Sequence, residues 1–242
     1  MGFFSFLFPW GVILQAIAIV HFIRRRPDNY WLWVIIFLGP IGALVYIVAE
    51  MVPDLGLLRQ VMEGVNRRKK ITQLEALVVA NPAAGNYEEL ADVYLDEKQY
   101  AKARECYDKA ISPRLDHPDP VYRRAIAEIH LGDFPAAARD LETVTSRDAK
   151  YDFNRAIGLL AHAYAHTGQP EKADALFRQA IEVSSLSETY LNYASFLASQ
   201  GRTAEAREWA QKVLTSKNAM PRYLQRRERK TFGAAKAFLK KL

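Results

Sequence analysis

Two kinds of hydrophobic pattern divide the chain. From Phe3 to Ile23 there is no Asp, Glu, Lys or Arg, and there is none from Tyr30 to Ala49. At about 1.5 Å per residue, each run as a helix reaches roughly 30 Å, the thickness of a bilayer's hydrocarbon core. Beyond residue 53 the apolar positions thin out and recur three and four residues apart, between Ala, Glu, Lys and Arg. That spacing predicts amphipathic helices throughout. The expected class is all-α: a two-helix transmembrane hairpin at 1–52, a connecting helix and half-repeat at 53–83, an α-α array at 84–218, and a capping helix at 219–242.

The two apolar runs are separated by Arg24-Arg25-Arg26-Pro27-Asp28-Asn29, short enough to make them antiparallel neighbours. Trp10, Tyr30, Trp31, Trp33 and Tyr46 suit headgroup levels. A cleaved signal peptide would carry its positive charges before the apolar run, and here they follow it. Two consecutive runs of this length also argue against a hairpin buried in a soluble core. Pro40 removes a backbone donor and the glycines loosen the helix, so a kink, or close packing on the first helix, is expected there. Gly39, Gly42 and Ala43 form the expected close-contact face for another membrane helix. The Trp-Leu-Trp…Gly-Pro-x-Gly-x-x-x-Tyr pattern resembles the N-terminal membrane hairpin of phospholipase D-type enzymes such as cardiolipin synthases. The resemblance covers residues 3–50 and implies an anchor. Those enzymes' His-x-Lys-x4-Asp motif is missing: none of His21, His117, His130, His162 and His166 has a Lys two residues on.

From residue 84 a register repeats. Alanine recurs at 103, 137, 173 and 206, at periods of 34, 36 and 33. Each unit also carries a small residue near its eighth position (Ala91, Ala125, Ala161, Ala194). Gly132, Gly168 and Gly201 mark the turn in the last three units, and Tyr107, Leu141 and Phe177 are the bulky partners in the first three. The pattern resembles the tetratricopeptide repeat, in which two helices per unit stack on the next because no unit buries its own apolar face. Over nearly its whole length the chain is similar to a bacterial membrane-protein family that joins such a hairpin to divergent repeats. The shared traits are Gln73-Leu74-Glu75 before the repeats, and Pro221-Arg222 with Arg226-Arg227-Glu228-Arg229 after them. That resemblance brings no activity with it.

Charge refines this picture. The net +6 is unevenly placed: residues 84–218 hold 17 Lys and Arg against 21 Asp and Glu, whereas 219–242 hold eight against Glu228 alone. The basic pI of 9.3 therefore belongs to the C-terminal end. With no basic stripe on the array, no nucleic-acid partner is expected. The end segment places Leu224, Thr231, Phe232, Ala235, Phe238, Leu239 and Leu242 on one stripe. It is expected to cap the last repeat, and its cations suit anionic headgroups or an acidic partner. Membrane sidedness is contested. Arg24, Arg25 and Arg26 pull the turn to the cytoplasm, while Arg59, Arg67, Arg68, Lys69 and Lys70 pull the array there. The cytoplasmic action of cardiolipin synthases tips the expectation to an array on the cytoplasmic side of a bacterial inner membrane.

Tetratricopeptide arrays line a concave groove with the first helix of each unit. The corresponding positions here are Glu88, Asp92, Asp96, Tyr122, Ile126, His130, Arg155, His162, His166, Glu188 and Ser195. The Lys, Asn and Arg clamp that chaperone-binding members use for a peptide carboxylate is replaced by Glu88 and Asp92, so a basic or mixed segment of a partner protein is the expected occupant. His130, His162 and His166 fall on one face, but no carboxylate or Cys completes a metal set, and no metal or cofactor is expected. Cys106, the only cysteine, permits no disulfide within the chain. With no phosphate-binding Gly loop and no nucleophile elbow, the expectation is a non-enzymatic scaffold. The alternative is an accessory subunit of a membrane complex, packing through the hairpin.

Overall fold

The computed structural model describes residues 3–25, 28–51, 57–112 and 117–242, with side chains described from residue 10 onward except at 25 and 57–65. The tip of the expected turn at 26–27, and Leu55, lie outside the described residues. The chain divides into two compact units, Met1–Thr72 and Gln73–Leu242.

In the first unit α1 (Phe3–Arg25) pairs with α2 (Tyr30–Phe37) and α3 (Gly39–Tyr46), and a π-helical turn follows at Ile47–Met51. Ala18, Ile35, Ala43 and Tyr46 are fully buried between them. Polar groups inside this apolar hairpin are matched: Gln15 Nε2 donates to the Ile35 carbonyl at 2.9 Å, and Trp31 Nε1 donates to Glu50 at 3.0 Å. His21 Nδ1 and Tyr46 Oη are hydrogen-bonded at 2.9 Å. The kink expected around Pro40 is present and amounts to a full break. Gly39 adopts φ +56°, a left-handed conformation that ends one helix and starts another, so Tyr30–Ala49 is not a single rod. Among the described residues no helix is long and apolar enough to cross a membrane. Gly42 and Ala43 are buried where α3 packs on α1 and α2 within the hairpin. A Cβ on Gly42 would lie 2.0 Å from the Val34 carbonyl oxygen, so only glycine lets α3 come this close to α2.

The connecting segment is a single helix, α4 (Leu57–Ala80), and its residues from Gln73 onward belong to the second unit. Its last turns join the array: Leu74 and Val78 are buried, and Tyr94 Oη donates to Glu75. Asn81 and Pro82 end it, as read from the sequence.

Four helical pairs follow: α5 (Ala84–Asp96) with α6 (Tyr100–Ala110), α7 (Asp119–Leu131) with α8 (Phe134–Arg147), α9 (Tyr151–His166) with α10 (Pro170–Val183), and α11 (Ser187–Ser199) with α12 (Thr203–Ser216). Their register is the one in the sequence. Ala103, Ala137, Ala173 and Ala206 are all fully buried, as are Tyr107, Leu141 and Phe177 one turn further on. Small residues let the helices cross closely, and large ones fill the spaces beside them. Gly132, Gly168 and Gly201 take φ +79°, +73° and +76° to turn the chain within repeats 2 to 4, while Lys98 does the same in repeat 1 at φ +59°.

The expected single capping helix is two: α13 (Arg222–Arg227) and α14 (Arg229–Leu239), separated at Glu228. α14 packs on α11 and α12, burying Phe232 and Ala235 against Tyr190 and Val213.

Candidate functional site

The first helices of the repeats set their N-terminal ends side by side, and there a cleft opens. Its larger part, about 520 Å³, lies between Asp119, Tyr122, Arg123, Tyr151, Asp152 and Arg155, with Leu95 and Ile126 as apolar wall. A second part of about 430 Å³ shares Asp152 and Arg155 and continues to Glu188, Leu186, Arg227 and Glu228. The two form one groove along repeats 1 to 4, ending at the junction of α13 and α14.

Hydrogen bonds between successive repeats build its walls. Tyr122 Oη donates to Asp152 Oδ2 at 2.5 Å, and Tyr151 Oη donates back to Asp119 Oδ1 at 2.5 Å. The two rings meet edge-on, centroids 5.0 Å apart. Arg123 Nε donates to Asp119 at 2.8 Å and its Nη1 lies 3.4 Å from Asp92, which also accepts from Tyr107 Oη at 2.6 Å. Arg155 Nε donates to Glu188 Oε2 at 2.8 Å, with its Nη1 3.5 Å from Asp152. Glu88 stands 4.0 Å from His117.

Electrostatically the groove is mildly acidic: of its lining residues Asp119, Asp152, Glu188 and Glu228 stand against Arg123, Arg155 and Arg227, with Asp92 beside Arg123. Burial pushes the Asp119 carboxyl up, but the hydrogen bonds from Tyr151 and Arg123 outweigh it and hold the group below its usual range. Burial, with Asp92 and Asp119 nearby, raises Glu88. At the inner end the Lys98 ammonium reaches Lys230 of α14 and depresses its pKa.

The sequence-predicted groove residues divide into three groups. Tyr122, Ile126, Arg155 and Glu188 line the cleft; Asp92 stands beside it, paired with Arg123, while Glu88 pairs with His117 and lines neither part. Asp96 and Ser195 are exposed and line neither part. The three histidines serve packing: His130 stacks on Tyr100 at 4.2 Å, and His166 stacks on Phe134 at 4.1 Å, with His162 edge-on to both Phe134 and His166. Burial and the adjacent His166 lower His162 to about 4, which keeps it neutral. Among the described residues no group of three or more potential metal ligands comes together.

Sequence reasoning missed Asp119, Arg123, Tyr151 and Asp152, and also Leu95, Leu186, Arg227 and Glu228 at the two ends of the groove. Asp119 stands at the same repeat position as Arg155 and Glu188, so the rule that found those two reaches it. Tyr151 and Asp152 escaped because repeat 3 begins irregularly. Asp152, Phe153 and Asn154 all have positive φ (+48°, +53° and +65°), a conformation no pattern of apolar positions announces.

Paired helices stacked in register, with a groove along the first helix of each pair, define an α-solenoid of the kind that offers a concave binding face. The family model for the tetratricopeptide repeat matches residues 84–112, 122–187 and 159–221. The chain thus belongs to the tetratricopeptide-repeat proteins. Solved structures agree on the fold. MamA (residues 41 to the end) from Desulfovibrio magneticus RS-1 is 16% identical, covering 71% of this chain and 96% of that one, with a TM-score of 0.57. YrrB, described as a TPR protein with an unusual peptide-binding site, is 17% identical over 64% of this chain and 81% of its own, at 0.53. Pseudomonas aeruginosa PilF is 17% identical over 78% and 88%, at 0.52. Comparison with curated proteins gives no match. The family matches begin at residue 84, so the likeness of residues 3–50 to a cardiolipin-synthase hairpin finds no counterpart among them.

Proposed function

We propose that the protein is a scaffold that docks a basic segment of a partner protein in the groove of its repeats. One observation carries this reading: a continuous cleft along four repeats in which carboxylates outnumber guanidinium groups. Apolar Leu95, Ile126 and Leu186 beside them suit a segment that alternates cationic and aliphatic side chains. The description of YrrB, a protein of similar fold, as having a peptide-binding site supports a peptide as the kind of ligand. The test is fluorescence anisotropy with full-length protein, using a Lys/Arg-rich peptide and a Glu-rich peptide of equal length. The basic peptide binds, weakens with salt, and loses about tenfold in affinity when Asp152→Asn and Glu188→Gln are combined. Equal binding of both peptides sinks the proposal, as does indifference to the substitutions.

The same reading makes Met1–Thr72 an anchor in the bacterial inner membrane with the array on the cytoplasmic side. Its support is the outer face of the hairpin, where Trp10, Trp33, Phe37, Ile41 and Val48 are all exposed, Phe37 by 78%. Large apolar side chains exposed in this number call for lipid or protein cover. A reporter fused after Leu242 reads the side. A second reading, an accessory subunit whose hairpin is covered by other membrane helices, rests on that same face. Native sizing after gentle detergent extraction separates them, because a subunit elutes in one fixed large assembly.

A further inference from the structure

The most basic feature of the molecule lies away from the groove. Lys217 on the 3-10 turn after α12, Arg222 and Arg226 on α13, and Arg229 and Lys236 on α14 surround a concavity of about 690 Å³. No carboxylate lines it, and among the described residues none of the five cations has an ion-pair partner, whereas Arg123, Arg124, Arg155, Arg178 and Arg202 of the array all do. Like charges gathered without counter-charge weaken a fold unless something else supplies the anion.

The floor differs from the rim. Phe232 is 4% exposed and Leu214 half-buried, so the bottom is apolar under a ring of cations. Gly233 completes it. Glycine weakens a helix interior relative to alanine, and nothing in α14 requires it: its φ is ordinary, and an added Cβ would meet no atom within 4 Å. What the missing side chain leaves is the open volume itself.

We propose that this concavity is a binding site for a phosphate-bearing anion, whose phosphate is clamped by the Arg and Lys rim and whose less polar part rests on Phe232 and Leu214. Planar guanidinium groups from two helices match phosphate oxygens in paired hydrogen bonds, and Lys217 and Lys236 add point charges. The phosphate belongs to a membrane-lipid headgroup or to a soluble phosphate compound, and the contacts that bind it are the same.

The experiment is calorimetric titration of the full chain in a neutral detergent, with inorganic pyrophosphate as one probe and a short-chain phosphatidylglycerol as the other. Wild type binds at least one probe with saturation. Arg222→Gln with Arg226→Gln weakens it about tenfold or more, and Gly233→Leu, which fills the space without removing charge, does the same at unchanged helix content. Arg147→Gln with Arg207→Gln, which removes two cations outside the pocket, leaves it unchanged. Tighter lipid binding identifies a headgroup, tighter pyrophosphate binding a soluble phosphate, and equal binding the phosphate clamp alone. The proposal is overturned if wild type binds neither probe at millimolar concentration. It is equally overturned if either pocket variant binds like wild type, or if the outside pair weakens binding as much, since that is net charge and not a site.

Discussion

Lys98 sits where the other three repeats have glycine, and its φ of +59° puts its Cβ against the backbone. A left-handed non-glycine residue costs about 1–2 kcal/mol. Replacing it with glycine recovers that strain but returns about 0.4–1 kcal/mol of freedom to the unfolded chain. Lys98→Gly is therefore expected to stabilise the array by about 0.5–1 kcal/mol net, a rise of about 2 °C in a domain this size. Lys98→Ala separates the causes. It removes the ammonium beside Lys230 but keeps the Cβ, so it relieves repulsion and leaves the backbone strained. The reciprocal change, Gly132→Ala, installs the strain at φ +79° where an added Cβ touches nothing, and is expected to cost about 1 kcal/mol or more from backbone alone. Urea unfolding followed by far-UV circular dichroism at fixed pH and salt measures all three. If Lys98→Gly and Lys98→Ala unfold at the same denaturant concentration, the backbone argument is wrong and any gain is electrostatic.

Three further outcomes are expected. Glu128 is buried beside Asp140 and has one carboxylate oxygen without a partner; burial, reinforced by Asp140, raises it to about 7. Its stabilising contribution is complete below about 4.5 and disappears as pH rises through 7, so Glu128→Gln should gain roughly 2–3 kcal/mol over wild type at pH 8 and little at pH 4, by urea unfolding at both. His162 works in the opposite sense: with its pKa lowered to about 4, it contributes stability above 6.5 that drains away as pH falls toward 4, and NMR should find its ring neutral at pH 5.5. A ring that titrates near 6.5 would show the site is open to water. Phe177, fully buried with ring centroids 5.2 Å from Tyr193 and 5.7 Å from Phe196, should cost about 3–5 kcal/mol as Phe177→Ala; a loss below 1 kcal/mol would mean the repeats repack freely there.

The array was legible because its packing is periodic. Where two helices cross at every repeat, alanine is required at 103, 137, 173 and 206 alike, and a requirement repeated four times is visible without a structure. Features that occur once were only partly legible. Pro40 announced a kink, but not that Gly39 would turn left-handed and split the run into two helices, because hydrophobicity carries no backbone dihedral. The groove was half legible: repeat positions gave Tyr122, Arg155 and Glu188, but the same rule cannot tell a lining histidine from one stacked on Tyr100 or Phe134. That distinction rests on the aromatic residue opening the second helix of the preceding repeat, a pairing across some thirty positions.

Polar contacts along the groove cross every joint between repeats: the Arg123–Asp92 ion pair between the first and second, hydrogen bonds from Tyr122 to Asp152 and from Tyr151 to Asp119 between the second and third, and from Arg155 to Glu188 between the third and fourth. The carboxylates of the proposed docking face are thus also the ones that tie each repeat to the next. A cationic guest pairing with Glu188 would take it from Arg155, so docking and the coupling of the third repeat to the fourth are expected to trade against each other, and both to loosen as ionic strength rises.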